Sequence, residues 1–299
     1  MILAAIDIWS NAARLLITEV IESEKKPLFE KLNLVRVPLR LGFDVFDMKE
    51  ISEIKTTMLL NTIRSFKYLM DAYRVTHFKA AATSAMRDAN NGPQIIETVA
   101  DTTGIRIEII SGDDEAAFIY ENHIAENMTS ENSYLYIAVG GGSTELTCFA
   151  DNRLLFKKSF NIGTIRLIKN QVTEAHWDGM KDFLKKETRN TSKHITAIGS
   201  GGNINKVFSL SKRKDGKPLP LELLKDYYKE LNSFSVPDRM RLYNLKEDRA
   251  DVIVPALLIY VNVMRWIDAE EIFVPKIGLA DGLIQALYRE LQSAASLSA

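Results

Sequence analysis

The sequence lacks the features that define several specialised classes of protein. Its single cysteine, Cys148, excludes an intrachain disulfide and a zinc site built from cysteines. Neither sign of charge dominates, because 38 basic and 39 acidic residues leave a net charge of -1. Duplex nucleic acid requires a strongly positive surface, so we expect no duplex nucleic acid as a partner.

Long apolar runs are also missing. The longest one, Val252 to Trp266, contains Pro255, Asn262 and Arg265 and is too short to cross a bilayer. The segment 1–7 ends in an acid and has no basic leader, which favours a β-strand over a signal or transit peptide. We therefore expect a cytoplasmic protein without a membrane partner.

Two common nucleotide-binding signatures are absent. No Gly-Lys-Ser/Thr sequence of a P-loop occurs, and Ile204 stands where a dinucleotide fingerprint requires glycine. The four histidines show no metal-ligand spacing. Walker-type nucleotide binding, nicotinamide binding and a histidine-based metal site are therefore not expected.

The chain has an ordinary globular composition and is long enough for two domains. Its 299 residues are 46% hydrophobic and 26% charged, and a typical domain has about 150 residues. The polar stretch Ser130–Ser133 is the candidate boundary. We place an N-terminal domain at residues 1–128 and a C-terminal domain at residues 129–299, with the C-terminal helix allowed to pack back on the first domain.

The two halves of the chain show a similar pattern of apolar residues. Each half opens with three β-rich runs, which are Ile2–Ile8, Arg14–Val20 and Phe29–Leu39 in the first and Tyr134–Val139, Glu145–Ala150 and Leu154–Asn161 in the second. Aligning Asp7 with Ala138 superposes the two openings. The pattern predicts duplicated α/β domains, with chance similarity between two β-hairpins as the alternative.

Further elements are predicted between these runs. Helical spacing indicates helices over 51–73, 94–103 and 113–127, the last with acids in its first turn. Apolar runs predict strands over 78–82 and 105–110.

Two glycine-rich turns follow predicted strands in the second half. Three consecutive glycines open the segment Gly140–Thr144, and Gly199–Asn203 lies between an apolar strand and a helix. Glycines let backbone amides approach an anion, and a helix N-terminus favours phosphate. Turns of two duplicated domains are expected at a shared cleft, which favours phosphate binding there. A tight hairpin is the alternative for the first turn.

Short motifs occur in a fixed order along nearly the whole chain. They are residues 4–11, 36–42, 82–87, 110–116, 140–146, 199–203, 249–253 and 278–282. In this order they resemble the exopolyphosphatase and guanosine pentaphosphate phosphatase family, Ppx/GppA. The resemblance implies an α/β protein of the actin-like ATPase fold, with two ribonuclease H-like domains and an interdomain cleft. It also implies the short form of the family.

The resemblance implies roles for individual residues. Glu115 is the expected general base, with an ordinary helix-start acid as the alternative. Arg87 is expected to hold phosphate with its guanidinium fork, and Asp7 and Glu145 are expected to serve a Mg²⁺ ion. The other expected phosphate-binding residues are Ser10, Asn11, Gly140, Gly141, Gly142, Ser143, Thr144, Gly201, Gly202 and Asn203.

Two residues differ from the family pattern. Trp9 replaces a glycine at the turn after Asp7, where phosphate should approach the backbone. Ala138 replaces an aspartate before the triple glycine, which deletes a carboxylate expected to bind metal or hold the catalytic water. We therefore expect weakened Mg²⁺ binding and weakened hydrolysis.

Three functions remain open. The first is hydrolysis of terminal phosphoanhydride bonds in inorganic polyphosphate or guanosine pentaphosphate. The second is a non-hydrolysing binder or sensor of polyphosphate or guanosine tetra- or pentaphosphate, and the third is a kinase or ATPase of the actin-like fold. The motifs at 36–42 and 110–116 favour the phosphatase branch, whose members also suggest a homodimer.

Overall fold

The chain forms two compact units. The computed structural model describes residues 1–23, 26–112, 114, 118, 133–150, 153–189, 194–275 and 278–298. Unit 1 consists of Met1–Asn122 together with Gly278–Ala299, and unit 2 consists of His123–Ile277. Residues 278–299 therefore belong to the first unit, although all of unit 2 precedes them in the sequence.

Unit 1 is built on a five-stranded mixed sheet. Its strands are β1 (Ile2–Ile8), β2 (Ala13–Ile21), β3 (Leu28–Val37), β4 (His77–Ala82) and β5 (Glu108–Ile109), and helices α1 (Leu41–Met48), α2 (Glu53–Ala72), α3 (Ser84–Asp88) and α4 (Gly92–Thr103) connect them. The strand order is β3-β2-β1-β4-β5. The central strand β1 pairs antiparallel with β2 and parallel with β4.

Unit 2 is built on a six-stranded mixed sheet. Its strands are β6 (Ser133–Val139), β7 (Thr144–Ala150), β8 (Arg153–Phe160), β9 (Ile195–Ser200), β10 (Leu219–Pro220) and β11 (Glu271–Phe273). Its helices are α5 (Thr164–Ile168), α6 (Glu174–Thr188), α7 (Gly202–Leu210), α8 (Leu221–Asn232), α9 (Val236–Tyr243), α10 (Glu247–Ala250) and α11 (Ile253–Trp266). The strand order is β10-β11-β9-β6-β7-β8.

The last helix, α12 (Leu279–Ser298), completes the core of unit 1. Leu279, Leu283 and Leu287 recur every four residues, which places them on one face of the helix. They are buried in the same cluster as Leu3 and Leu16 of the sheet. The helix therefore covers one face of β1 and β2.

Helix α11 forms the centre of the core of unit 2. It contains the longest apolar run of the sequence, and Leu257, Tyr260, Val263 and Met264 are almost completely buried. These side chains pack in one cluster with the central strands, including Leu135 of β6. Burial on all sides thus explains the apolar run. Within the described ranges, no helix combines the length and apolar character needed to cross a membrane.

The two sheets share one arrangement. In each, the central strand pairs antiparallel with the strand that follows it and parallel with a later strand, β4 in unit 1 and β9 in unit 2. Asp7 and Ala138 are both the second-last residue of the central strand. The prediction of duplicated α/β units is confirmed. The interdomain cleft stays a prediction.

Local predictions agree with the structure to different degrees. The helix predicted over 51–73 is α2, which begins after Ser52. The Ser52 side chain caps the helix by accepting a hydrogen bond from the Lys55 N–H. The strand predicted over 105–110 is much shorter, because only Glu108 and Ile109 pair with β4. The helix predicted over 113–127 lies almost entirely outside the described residues.

Candidate functional site

The glycine turn, Gly140–Gly142, connects β6 to β7 in unit 2. Its three carbonyls are held by the segment that begins α5. They accept hydrogen bonds, in chain order, from the N–H of Thr164 at 3.0 Å, from the N–H of Ile165 at 2.9 Å and from Nε of Arg166 at 2.8 Å. The orientation of three successive peptide groups is thereby set from one side.

The orientation of these peptides determines where the turn presents its donors. In a trans peptide the N–H points away from the C=O of the same plane. Because the carbonyls face α5, the N–H groups of Gly141, Gly142 and Ser143 are directed to the opposite side. Successive N–H groups on one side of a turn form an anion-binding nest. The turn therefore has the backbone geometry that phosphate oxygens require.

The segment directly before α5 also lies against the region of the glycine turn. The hydroxyl of Thr144, the first residue of β7, donates to the Ile162 carbonyl at 2.5 Å, so its proton is used in a structural hydrogen bond. A Cβ on Gly163 would overlap the carbonyl group of Gly141. Neither Gly163 nor Arg166 was identified from the sequence, where the available signal is a single glycine directly before a short helix.

The second glycine-rich turn leaves the same edge of the sheet as the first. It follows β9, the parallel neighbour of β6, and Ala138 pairs with Ser200 at the ends of these strands. Gly201 has a φ of 123°, a conformation that side chains disfavour. Helix α7 begins at the next residue, and its N-terminus carries partial positive charge. The structure thus brings the two predicted phosphate turns of unit 2 together.

Arg249 lies at the N-terminus of α7. Its guanidinium donates to Oδ1 of Asn203 at 2.5 Å. A Cβ on Gly202 would come within 2.6 Å of the same guanidinium, so the glycine leaves room for this cation. Arg249 belongs to the 249–253 motif, and the sequence predicts no individual role for it. The cation adds positive charge to an edge where anion binding is predicted.

Tyr260 joins the ends of the strands that carry the two turns. The side chain is buried, and its hydroxyl donates to the Ser200 carbonyl at 2.7 Å. Burial raises the pKa of Tyr260, which keeps the hydroxyl protonated as a donor. Nothing in the sequence distinguishes this tyrosine from other core residues of α11.

A Tyr260→Phe variant should have a free energy of unfolding about 1–2 kcal/mol lower than the wild type. The phenylalanine keeps the packing but removes the buried hydrogen bond from the Tyr260 hydroxyl to the Ser200 carbonyl. Urea denaturation measures the difference. Tyr228→Phe, at a partly buried tyrosine of the same unit, is the control and should change stability by less than about 0.5 kcal/mol. An equally small change in Tyr260→Phe would contradict the role assigned here.

The corresponding edge of unit 1 contains the predicted residues Ser10 and Asn11. Ser10 is fully buried, and its hydroxyl forms a hydrogen bond with the Ser84 hydroxyl at 2.8 Å. The Asn11 carbonyl accepts from the Arg40 N–H at 2.9 Å, and the Ser10 carbonyl accepts from the Gly42 N–H at 2.8 Å. The turn after β1 is therefore held by the first residues of α1 and α3.

Asp7 is fully buried near the end of β1. Its Oδ2 accepts a hydrogen bond from Trp9 Nε1 at 3.0 Å and lies 3.9 Å from a guanidinium nitrogen of Arg14. Burial raises the pKa of the Asp7 carboxyl, and the charge of Arg14 and the hydrogen bond from Trp9 offset this rise only in part. Trp9, which replaces the family's glycine, thus donates a hydrogen bond to the carboxylate of Asp7, two residues before it.

The remaining predicted residues of unit 1 are Arg87 and Glu115. Arg87, in α3, donates from Nη1 to the Ile110 carbonyl at 2.9 Å, and its side chain is 31% exposed. A guanidinium has five N–H donors, so this contact leaves donors for an anion. Glu115 lies outside the described residues. The catalytic role of Glu115 and the phosphate-binding role of Arg87 stay predictions.

The residues expected to serve Mg²⁺ do not fit that ion. Glu145 is buried, and its Oε1 accepts from the Ser159 hydroxyl at 3.0 Å. The residue opposite Glu145 in the β6–β7 pair is Ala138, which has no ligand atom in its side chain. The residue opposite Asp7 in the β1–β2 pair is Arg14, a cation. Mg²⁺ prefers an octahedron of oxygen ligands that includes carboxylates, and neither strand pair provides two.

Glycine-rich turns at the ends of two parallel strands are typical of proteins that bind phosphate groups. The profile of the Ppx/GppA phosphatase family matches residues 20–292. The chain therefore belongs to the Ppx/GppA phosphatase family, which confirms the resemblance found in the sequence.

Similar proteins agree with this assignment. A bifunctional 3-dehydroquinate synthase/phosphatase of Fusobacterium nucleatum is 28% identical, and the match covers 91% of this chain but only 44% of that protein. Exopolyphosphatase 1 of Mycobacterium bovis is 24% identical over 95% of this chain and 87% of its own. The chain thus spans less than half of the first relative and most of the second.

Solved structures show the same fold. An exopolyphosphatase from Cytophaga hutchinsonii superposes with a TM-score of 0.82 at 24% identity, and the match covers 96% of this chain and 97% of that one. Together with the duplicated sheets, this likeness confirms the predicted α/β fold class of the family.

Proposed function

We propose that this protein binds terminal phosphates of inorganic polyphosphate or guanosine pentaphosphate and hydrolyses the terminal phosphoanhydride bond. The observation that carries the proposal is the glycine turn of unit 2, whose carbonyls are all held on one side. Membership of a phosphatase family and a relative named exopolyphosphatase support the reaction class.

The proposal gives each group of residues a task. The N–H groups of Gly141, Gly142 and Ser143 donate to phosphate oxygens, and the N-terminus of α7 with Arg249 supplies positive charge. Arg87 provides a further guanidinium for the anion. Glu115 orients and deprotonates the attacking water.

A second candidate is binding of the same anions without hydrolysis. Ala138 and the Trp9–Asp7 hydrogen bond favour it, because they alter the acidic positions and leave the glycine turn unchanged. Carboxylates are the groups on which metal-assisted hydrolysis depends, whereas binding depends on the N–H donors. Family membership lends no support to the third possibility, a kinase or ATPase.

Two measurements on the purified protein test these candidates together. Phosphate release from polyphosphate reports hydrolysis, and isothermal titration with guanosine tetraphosphate and with polyphosphate reports binding. Binding with phosphate release supports hydrolysis, and binding without release establishes the second candidate. A protein that neither binds these anions nor releases phosphate would overturn both candidates.

We also propose that the protein acts in the cytoplasm and forms a homodimer, as expected from the sequence. Fractionation of cells and light scattering of the purified protein test them.

A further inference from the structure

Equivalent positions in the two sheets show how the acids of this chain are distributed. The second-last residue of the central strand faces a partner on the next strand, and this pair is Asp7 with Arg14 in unit 1 and Ala138 with Glu145 in unit 2. Each unit thus carries one carboxylate in this pair. A hard divalent cation is bound through carboxylate oxygens, and the residue opposite each acid in its strand pair carries a guanidinium or a methyl group. A further carboxylate, Asp281, raises the pKa of Asp7, but it is itself held by Lys31 at 2.6 Å and by the Gly278 N–H at 2.8 Å.

The acid of unit 1 already has a donor. Trp9 Nε1 donates to Oδ2 of Asp7, and Trp9 packs against the buried cluster of unit 1 that contains Leu283. A side chain fixed by packing keeps its hydrogen bond at little further cost in conformational entropy. A metal ion at Oδ2 would therefore have to displace the indole N–H, and Oδ1, which accepts no hydrogen bond from the described residues, is the one oxygen of this acid that a cation could reach without that cost.

The acid of unit 2 is also engaged. Glu145 is 2% exposed and accepts the Ser159 hydroxyl through Oε1. Its neighbour across the strand pair, Ala138, is 4% exposed and has no ligand atom in its side chain. A metal ion needs a second hard ligand at this place, and a methyl group offers none.

We infer that, among the described residues, this chain has lost the divalent metal site that the family resemblance implies at Asp7 and Glu145, and that it binds its polyanion without a metal ion. Trp9 and Ala138 are the two residues that carry this change. The loss of the metal site stands by itself, whereas metal-free anion binding rests on the proposed function. Positive charge for the anion then comes from guanidinium groups and backbone N–H donors.

The first experiment measures metal binding in the absence of any anion. Mn²⁺, a paramagnetic substitute for Mg²⁺, is titrated into the purified full chain, and free Mn²⁺ is followed by electron paramagnetic resonance. The wild type should show no saturable binding up to about 1 mM, the weak end of protein sites for hard cations. Saturable binding that excess Mg²⁺ displaces would overturn the inference.

Restoring the carboxylate gives a positive control. Ala138→Asp places two carboxylates opposite each other in the β6–β7 pair and should bind Mn²⁺ with a Kd below about 0.1 mM, at least tenfold under the limit set for the wild type. Ala138→Asn has nearly the same shape without the charge and should behave as the wild type does. Should Ala138→Asp fail to fold, the wild-type titration decides alone. A folded Ala138→Asp with no gain over Ala138→Asn would count against the role of this position.

The role of Trp9 is tested by a substitution that keeps the ring. Trp9→Phe removes the indole N–H, so Oδ2 of Asp7 becomes available as a ligand. In the wild-type background it should bring Mn²⁺ binding to a Kd below about 0.3 mM, threefold under the wild-type limit and at the scale of a lost supporting hydrogen bond. Behaviour unchanged from the wild type would remove Trp9 from the explanation.

The second experiment separates this inference from the proposed function. Polyphosphate is titrated into the wild type in EDTA and, at equal ionic strength, in excess Mg²⁺. We expect comparable affinity, within about threefold after correction for Mg²⁺ bound to free polyphosphate, because backbone and guanidinium donors need no metal. Binding that requires Mg²⁺ overturns the inference and leaves the proposed function standing. Absence of binding in both buffers overturns the proposed function, while the Mn²⁺ titration still decides the metal site.

Discussion

A Gly163→Ala variant should bind polyphosphate about 100-fold more weakly and lose about 3 kcal/mol of its free energy of unfolding. A Cβ at this position would lie about 2.5 Å from the carbonyl carbons of Gly141 and Gly142, closer than real Cβ contacts come. The atoms it meets are backbone, which cannot rotate away as a flexible side chain can. Either α5 or the glycine turn must move, and the hydrogen bonds to its carbonyls are lost.

Gly179→Ala is the matched control for this substitution. Gly179 lies in α6 of the same unit, and a Cβ there meets nothing within 4 Å. Alanine favours a helix more than glycine does, so this variant should be stabilised by up to about 1 kcal/mol and bind as the wild type does. Urea denaturation and isothermal titration give both quantities. A folded Gly163→Ala with the affinity of Gly179→Ala would show that α5 does not shape the anion site.

Glu115→Gln should reduce phosphate release by about 10²–10⁴ and leave polyphosphate affinity nearly unchanged. Glutamine keeps the shape and hydrogen-bonding reach of glutamate but does not accept the proton of the attacking water. The measurement is a phosphate-release assay beside a binding titration on the same preparation. Binding and turnover should then separate in one variant.

Asp114→Asn is the control for a change of charge at this place. The Asp114 carboxylate accepts the Ser111 hydroxyl at 2.6 Å, so it has a structural partner one residue before Glu115. Its replacement should cost less than about threefold in rate, the scale of a single surface hydrogen bond. Equal losses in both variants, or undiminished release by Glu115→Gln, would show that Glu115 is only a helix-start acid.

Local elements of this fold were predictable because their signals are local. Three β-rich runs at the start of each half became the two meanders, and the helical spacing of residues 51–73 became α2. The repeat was visible because Asp7 and Ala138 occupy the same position in equivalent strands. The sequence allowed the C-terminal helix to pack on the first domain, but it did not predict that residues 278–298 belong to unit 1. Periodicity shows that a helix has an apolar face and does not show which sheet that face covers.

The candidate site was predictable where the sequence itself makes the turn. The three consecutive glycines at residues 140–142 indicate an unusual backbone conformation from the sequence alone. The groups that orient this turn are about 20 residues away in the sequence. Gly163 could not be recognised as one of them, because a single glycine before a short helix is a common pattern. Trp9 was recognised as a departure from the family pattern. Its hydrogen bond to Asp7 depends on a side-chain conformation that a sequence does not display.

The division of unit 1 into two distant parts of the chain also sets an order for folding during synthesis. Unit 2 is one continuous segment, so its whole sequence has been synthesised before α12 is made. Until then the apolar face formed by Leu3, Leu16 and their neighbours lacks the leucines of α12 that pack on it. Such a face is prone to association with other chains. A released chain that ends at residue 277 should therefore protect unit 2 from protease while unit 1 remains sensitive or bound by a chaperone.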